Sequence, residues 1–193
     1  MGKRVLILTA IEDEITFVAD IAKSYKRGVV QGGGPVDEIN IAKLNFANLI
    51  DVTKITLKTL EPDLVRVRNL ILQCDHLVFI TEVHKQKINL KLSSFFDRLF
   101  ALQGGLPMKN LWQPSDFAGK TARIISILDD EAWKEYNKKG RYIAYNPIKK
   151  QALQLFGINV VRTTSLGDVI KGVFNEYYHK WINKMILLGK NQY

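Results

Sequence analysis

At 193 residues with 47% hydrophobic side chains, the chain can fill one continuous core, and a single domain over 1–193 is expected. Its net charge of +9 attracts polyanions at long range, but the cations fall in short clusters (Lys23 to Arg27, Lys138 to Arg141, Lys149-Lys150) without interleaved aromatic residues, a pattern against nucleic-acid binding. The single cysteine, Cys74, excludes an intramolecular disulfide framework and points to a reducing, cytoplasmic setting, and no apolar run approaches the length of a membrane span.

Arg4 to Thr9 (RVLILT) is a strand-like run, and Thr16 to Lys26 carries Phe17, Ile21 and Tyr25 at a spacing of four, as on one helical face. Gln31-Gly32-Gly33-Gly34-Pro35 follows that helix and precedes a second strand, Val36 to Ile41. A phosphate-binding glycine loop follows a strand and opens a helix, so these glycines are expected to cap the helix and turn the chain. Leu44 to Leu60 shows no regular pattern. Glu61-Pro62-Asp63 opens a helix running to about Gln73, with Pro early and acids at the positive end of the dipole. A third strand, His76 to Thr81, a polar loop and a helix from about Asn89 to Leu102 come next. Trp112 is expected to pack on the body, and Cys74 to be a small buried hydrophobe. Ala122 to Leu128 is a fourth strand, Ile148 to Phe156 a helix, Ile158 to Thr164 a fifth strand and Phe174 to Leu188 a closing helix. Five strands alternating with helices predict an α/β fold with an open parallel sheet and helices on both faces.

Asp75-His76-Leu77-Val78-Phe79, followed by Leu92, Phe95, Asp97 and Arg98, is similar to a stretch of the flavodoxin-like NAD(P)H:quinone oxidoreductase family. The family's pattern there is D-H-L-V-F, a Pro-x-Trp-Trp-Gly loop, then L-L-K-G-F-x-D-R. Further resemblances are Leu44-Asn45-Phe46, Asp129 with Trp133 in a D-x-P-x-W stretch, Gly157-Ile158 with Val161-Arg162, and Trp181, Lys184 and Gly189 in the last helix. The middle of the loop departs: Glu82 stands for Pro, His84-Lys85 for Trp-Trp, Gln86 for Gly, Asn89 for a second Pro and Ser93-Ser94 for Lys-Gly.

The resemblance implies a flavodoxin-like five-stranded sheet of order 2-1-3-4-5, whose ligand crevice lies between the first and third strands. It further implies FMN, with FAD as an alternative, NAD(P)H as electron donor, quinones or similar small molecules as acceptors, and a homodimer. In that reading Thr16, Phe17 and Val18 occupy the phosphate loop, where the family has S-x-T. Glu82, Val83, His84 and Lys85 run along the isoalloxazine, and Asp129 and Trp133 close over it. No side chain is assigned to catalysis, although Tyr136, Tyr142 and Tyr145 sit in an expected loop within reach of an acceptor. Against a bound phosphate stand Glu12-Asp13-Glu14, each unit-charge pair repelling by roughly 3 kcal/mol at about 5 Å and an effective dielectric near 20. The alternative is therefore a flavin-less, non-catalytic flavodoxin-like binding or regulatory protein. Neither a metal site nor a phosphoacceptor is expected: His84 lacks companion ligands, and the residues after the third and fifth strands, Thr81-Glu82 and Thr163-Thr164-Ser165, are not the Asp and Lys of receiver domains.

Overall fold

The computed structural model describes residues 2–11, 16–47, 59–84, 87–100, 102–103, 106–107, 111–138, 148–167 and 176–192. Strand β1 (Val5–Thr9) is buried at every position, and this is why it is apolar from Val5 to Leu8 instead of alternating. It lies between β2 (Val36–Asn40) and β3 (His76–His84), and the sheet continues through β7 (Thr121–Leu128) to β8 (Val160–Leu166), all parallel. The order of these five is 2-1-3-4-5, as expected for a flavodoxin-like fold. Two short additions flank it: β4 (Lys87–Ile88) turns back antiparallel on the end of β3, and β5 (Leu102–Gln103) pairs with β6 (Leu106–Pro107) apart from the main sheet.

Helices cover both faces. Helix α1 (Phe17–Gln31) buries Val18, Ile21, Ala22, Tyr25 and Val29, a 3.6-residue stripe, against Val5, Ile7, Val78, Ile80 and Ile125. The closing helix α5 (Glu176–Asn191) contributes Met185 to the same layer. On the opposite face, α2 (Pro62–Gln73), α3 (Leu90–Leu99) and α4 (Asp130–Lys138) bury Leu64, Val67, Ile71, Leu92, Phe95, Leu99 and Ala132 against Leu6, Leu8, Leu77, Phe79 and Ile124. An aromatic cluster closes that layer: Phe100 meets Trp112, Phe117 and Phe156 at centroid distances of 6.0, 6.1 and 5.1 Å. Trp112 is thus part of the body, its indole N–H donating to the Leu99 carbonyl at 2.6 Å. Cys74 is buried at 1% exposure, which pushes its thiol pKa up to about 12 and leaves it an inert apolar filler.

Four expected elements are corrected. Helix α1 continues past Lys26 to Gln31, where Gly32 caps it and Gly33 takes a left-handed φ of 73°, so the glycines do turn the chain. Strand β3 does not stop at Thr81. Thr81 and Val83 point into the core at 0% exposure with Glu82 between them half-buried, an alternation that β7 extends by pairing Ser126, Ile127 and Leu128 opposite. The stretch after β7 is helix α4, capped by Asp129, so Tyr136 is a helical residue and not a loop residue, while Tyr142 and Tyr145 lie outside the described residues. The helix expected at Ile148 to Phe156 is a wide π turn over Ile148–Leu153, with i to i+5 bonds from Gln154 N–H to Lys149 and from Ile158 N–H to Leu153. Among the described residues no helix is long and apolar enough to cross a membrane.

Candidate functional site

In an open α/β sheet the ligand crevice opens at the carboxyl ends of the strands where the strand order reverses, here between β1 and β3. Strand β1 ends at Thr9, opposite Ile80, whereas β3 runs on beside β7 to Val83. Thr81 to Val83 therefore form a lip projecting past β1. Val83 is fully buried, and its carbonyl accepts the Asp129 N–H at 3.2 Å, which ties the third and fourth loops together. The Thr81 hydroxyl donates to the Glu82 carbonyl at 3.0 Å. The backbone of His84 pairs with Lys87 in the hairpin, and Lys85 lies outside the described residues.

Helix α1 starts beside the end of β1. Thr16 is its N-cap, with the hydroxyl accepting the Ala19 N–H at 3.3 Å, while Phe17 and Val18 occupy the first turn. Val18 is turned into the core at 2% exposure, so only its backbone faces the helix mouth. The donors of a first helical turn have no partner within the helix, and such a donor set suits an anionic phosphate. Against it stands Asp20, in the same turn, whose carboxylate accepts the Tyr178 hydroxyl at 2.8 Å; that bond, and then burial, raise the Tyr178 pKa. The Tyr178 ring also rests on Phe17, centroids 5.4 Å apart. The start of α5 thereby clamps the start of α1 and sets a carboxylate at the helix's positive end, where it offsets part of the field an anion would use. Glu12, Asp13 and Glu14 lie outside the described residues.

At the fourth loop, Asp129 caps α4 by accepting the Ala132 N–H at 2.7 Å. Trp133 stacks on Tyr136 at 5.3 Å and 15°. Its indole also lies flat against Gly167 at the end of β8, so closely that a β-carbon there would sit 2.0 Å from the ring. Tyr177 donates its hydroxyl proton to the Gly167 carbonyl at 2.6 Å. The Asp129 and Trp133 pair named from sequence is thus joined to β8 and α5 as well as to the crevice rim.

Sequence patterning gives no reason to place Asn40 at the site, yet the structure does. At the end of β2 it accepts the Ile11 N–H at 3.1 Å and donates to the Ile11 carbonyl at 2.7 Å, extending the β1–β2 ladder by a side chain after the strand has ended. It also accepts the Ala42 N–H, capping a 3-10 turn over Ile41–Lys43. The only hint in the sequence is an Asn at a strand end, a common cap. Asn40→Leu should cost about 1 to 2 kcal/mol and strip the Ile11 amide of exchange protection, which urea unfolding with amide hydrogen exchange measures. Unchanged protection at Ile11 would show that the loop after β1 is held by other means.

No protein-family model matches this chain, and no curated protein matches it in sequence. Solved structures do match over almost the whole length. An NAD(P)H:quinone oxidoreductase from Methanothermobacter marburgensis superimposes with a TM-score of 0.79 at 16% identity, covering 99% of this chain and 97% of that one. Smu.1420 from Streptococcus mutans gives 0.75 at 20% identity over 97% and 99%. An FMN-dependent NADH-azoreductase from Bacillus anthracis, solved in complex with FMN, gives 0.67 at 12% identity over 99% of both chains. At these identities the likeness establishes the flavodoxin-like fold shared with such reductases.

Proposed function

We propose that this protein is an FMN-dependent NAD(P)H oxidoreductase that reduces quinones or similar small acceptors in the cytoplasm, acting as a homodimer. The observation that carries the reading is the full-length agreement in fold with quinone and azo reductases. The crevice supports it through chemistry that no side-chain substitution removes: the backbone donors of the first turn of α1 at the phosphate position, and the β3 lip beside them. The first turn at Phe17 and Val18, capped by Thr16, would hold the phosphate. The backbone from Glu82 to Lys85 would run along the ring system, and the Asp129 to Trp133 segment would bound its edge. FMN supplies a two-electron carrier that takes up hydride and passes it on. The protein's part is to orient the ring, exclude water and offer main-chain donors; no side chain is assigned as acid or base. FAD would use the same phosphate position.

A second reading rests on a particular observation. With the Thr16 hydroxyl accepting from its own helix and the Asp20 carboxylate in the first turn, the phosphate position carries a negative charge among the described residues. A flavin-less binding or regulatory protein would have this constellation. Titration of the purified protein with FMN, followed in the visible flavin bands, separates the two. The reductase reading expects saturation at a Kd of about 1 µM or tighter, near −8 kcal/mol, and NAD(P)H-dependent reduction of a benzoquinone. Failure to take up FMN or FAD at a hundredfold higher concentration would leave only the second reading.

A further inference from the structure

Helix α1 does not reach across β2, and the sheet edge is left open on that side. The result is a cavity of about 870 Å³ whose floor is Val36, Glu38 and Asn40 of β2 with Thr9 of β1. Its wall is one stripe of α1, Ala19, Ala22, Lys23, Lys26, Arg27 and Val30, related by steps of three and four as on a single helical flank. The volume lies within the range of small-molecule sites. It opens on the other side of β1 from β3 and meets the β1–β3 crevice only at its mouth, where Thr9, Ile11 and Ala19 line it.

The charges of this stripe are out of balance. Lys26 pairs with Glu38 across the cavity at 2.9 Å. The other acid in the lining, Asp37, lies on the alternate face of β2 and meets Arg4 at 3.7 Å. Lys23 and Arg27 are exposed, lie one turn apart, and have no ion pair among the described residues. Like charges at i and i+4 destabilise a helix by a few tenths of a kcal/mol, a cost that an anion between them reverses. Below them Ala19, Ala22, Val36 and the aliphatic stem of Lys26 offer apolar surface beside the polar Thr9, Glu38 and Asn40. Val30, 59% exposed, stands at the far end.

We propose that this α1–β2 cavity is a second binding site, for a phosphorylated small molecule with a compact apolar or planar part, its phosphate held by Lys23 and Arg27 and its body lying between Ala19 and Ala22 of the wall and Val36 of the floor. Lys23, Arg27 and the β2 residues lie outside the flavin crevice, so the proposal does not require a flavin there.

ADP and inorganic pyrophosphate serve as probes, because they share the charged group and differ in the body. In calorimetric titration at fixed ionic strength, ADP should bind saturably and at least 10-fold more tightly than pyrophosphate, and amide resonances of Val36, Glu38 and Asn40 should shift on titration. The exposed double variant Lys23→Glu/Arg27→Glu should weaken ADP at least 10-fold with an unchanged circular dichroism spectrum. The control Lys149→Glu/Lys150→Glu, which alters net charge by the same amount elsewhere, should leave binding within 2-fold. Absence of saturable ADP binding at millimolar concentration, equal losses in the two variants, or resonance shifts at α1 without any at β2 would each overturn the proposal. Should Lys23→Glu/Arg27→Glu lose its fold, Lys23→Ala is read by the same criterion, with a 3-fold loss expected.

Discussion

Gly189→Ala should destabilise the protein by about 3 kcal/mol or more, lowering its melting temperature by roughly 6 to 12 °C for a chain of this size. The α1–α5 pair crosses with backbone against backbone. A β-carbon on Gly189 would lie 2.1 Å from the Tyr25 carbonyl oxygen and 3.0 Å from the Val29 amide. On the facing helix, a β-carbon on Gly28 would lie 2.1 Å from the Ile186 carbonyl oxygen. Neither obstacle is the far end of a flexible side chain, so relief requires the helices to move apart. Separation then loosens Tyr25 and Met185, both fully buried in the layer between these helices and the sheet. Gly33→Ala provides the contrast. Its φ is 73° and nothing lies within 4 Å of where a β-carbon would stand, so its cost is one residue's left-handed strain, about 1 kcal/mol. Thermal unfolding of the two variants side by side is the measurement. Equal small losses would mean that the helices are not in close contact at Gly28 and Gly189.

These two glycines also separate what a sequence can reveal from what only packing decides. The family resemblance singles out Gly189 within the Trp181 to Gly189 helix, but Gly28 only interrupts a helical pattern, and an isolated interior glycine lowers helix propensity. Local preference ends the helix at Lys26; tertiary contact with α5 overrides it and carries α1 to Gln31. The same logic accounts for β3. Thr81-Glu82-Val83-His84 has the alternation of a strand, yet its polar composition reads as a loop until β7 supplies a partner of the right length. Fold class is legible because the apolar runs of β1, β3 and β7 leave few alternatives to a sheet buried on both faces. The site is legible only as a place. Thr16, Phe17 and Val18 fall at the α1 start as expected, but the side chains that set the electrostatics there, Asp20 and Tyr178, are 158 positions apart and meet only through the packing of α5 on α1. The cavity beside β2 is not legible at all, since it depends on how far α1 reaches across the sheet.

The second large effect is a loss of stability in acid that is already under way well above the range where carboxylates titrate. His76 opens β3 at 1% exposure, beneath α1. Its ring nitrogens meet the Tyr25 hydroxyl of α1 at 3.4 Å and the Thr121 hydroxyl of β7 at 2.7 Å. The charged groups that reach it are Arg123 of β7, Lys3 ahead of β1 and Arg162 of β8, all cations. Burial first, and these cations next, push its pKa down to about 3, from 6.5 in an unfolded chain. The native protein therefore keeps His76 neutral while the unfolded chain takes up a proton. Stability from this group is complete above about pH 6.5 and falls as pH drops toward 3, by roughly 3 to 5 kcal/mol at the lower limit. On the alkaline side the order reverses. Tyr25, its pKa raised by burial to about 12, ionises first in the unfolded chain, so stability is lost as pH climbs from 10 toward 12. Urea unfolding free energies between about pH 3.5 and 8 test the acid limb, with His76→Gln as the discriminating variant. Glutamine keeps hydrogen-bonding capacity but takes no proton, so its curve should be nearly flat from about pH 6.5 to 5, where the unsubstituted protein loses about 2 kcal/mol. Parallel curves for the two proteins over that interval would mean that native His76 takes up its proton over the same range as the unfolded chain, and that burial and the neighbouring cations do not keep it neutral.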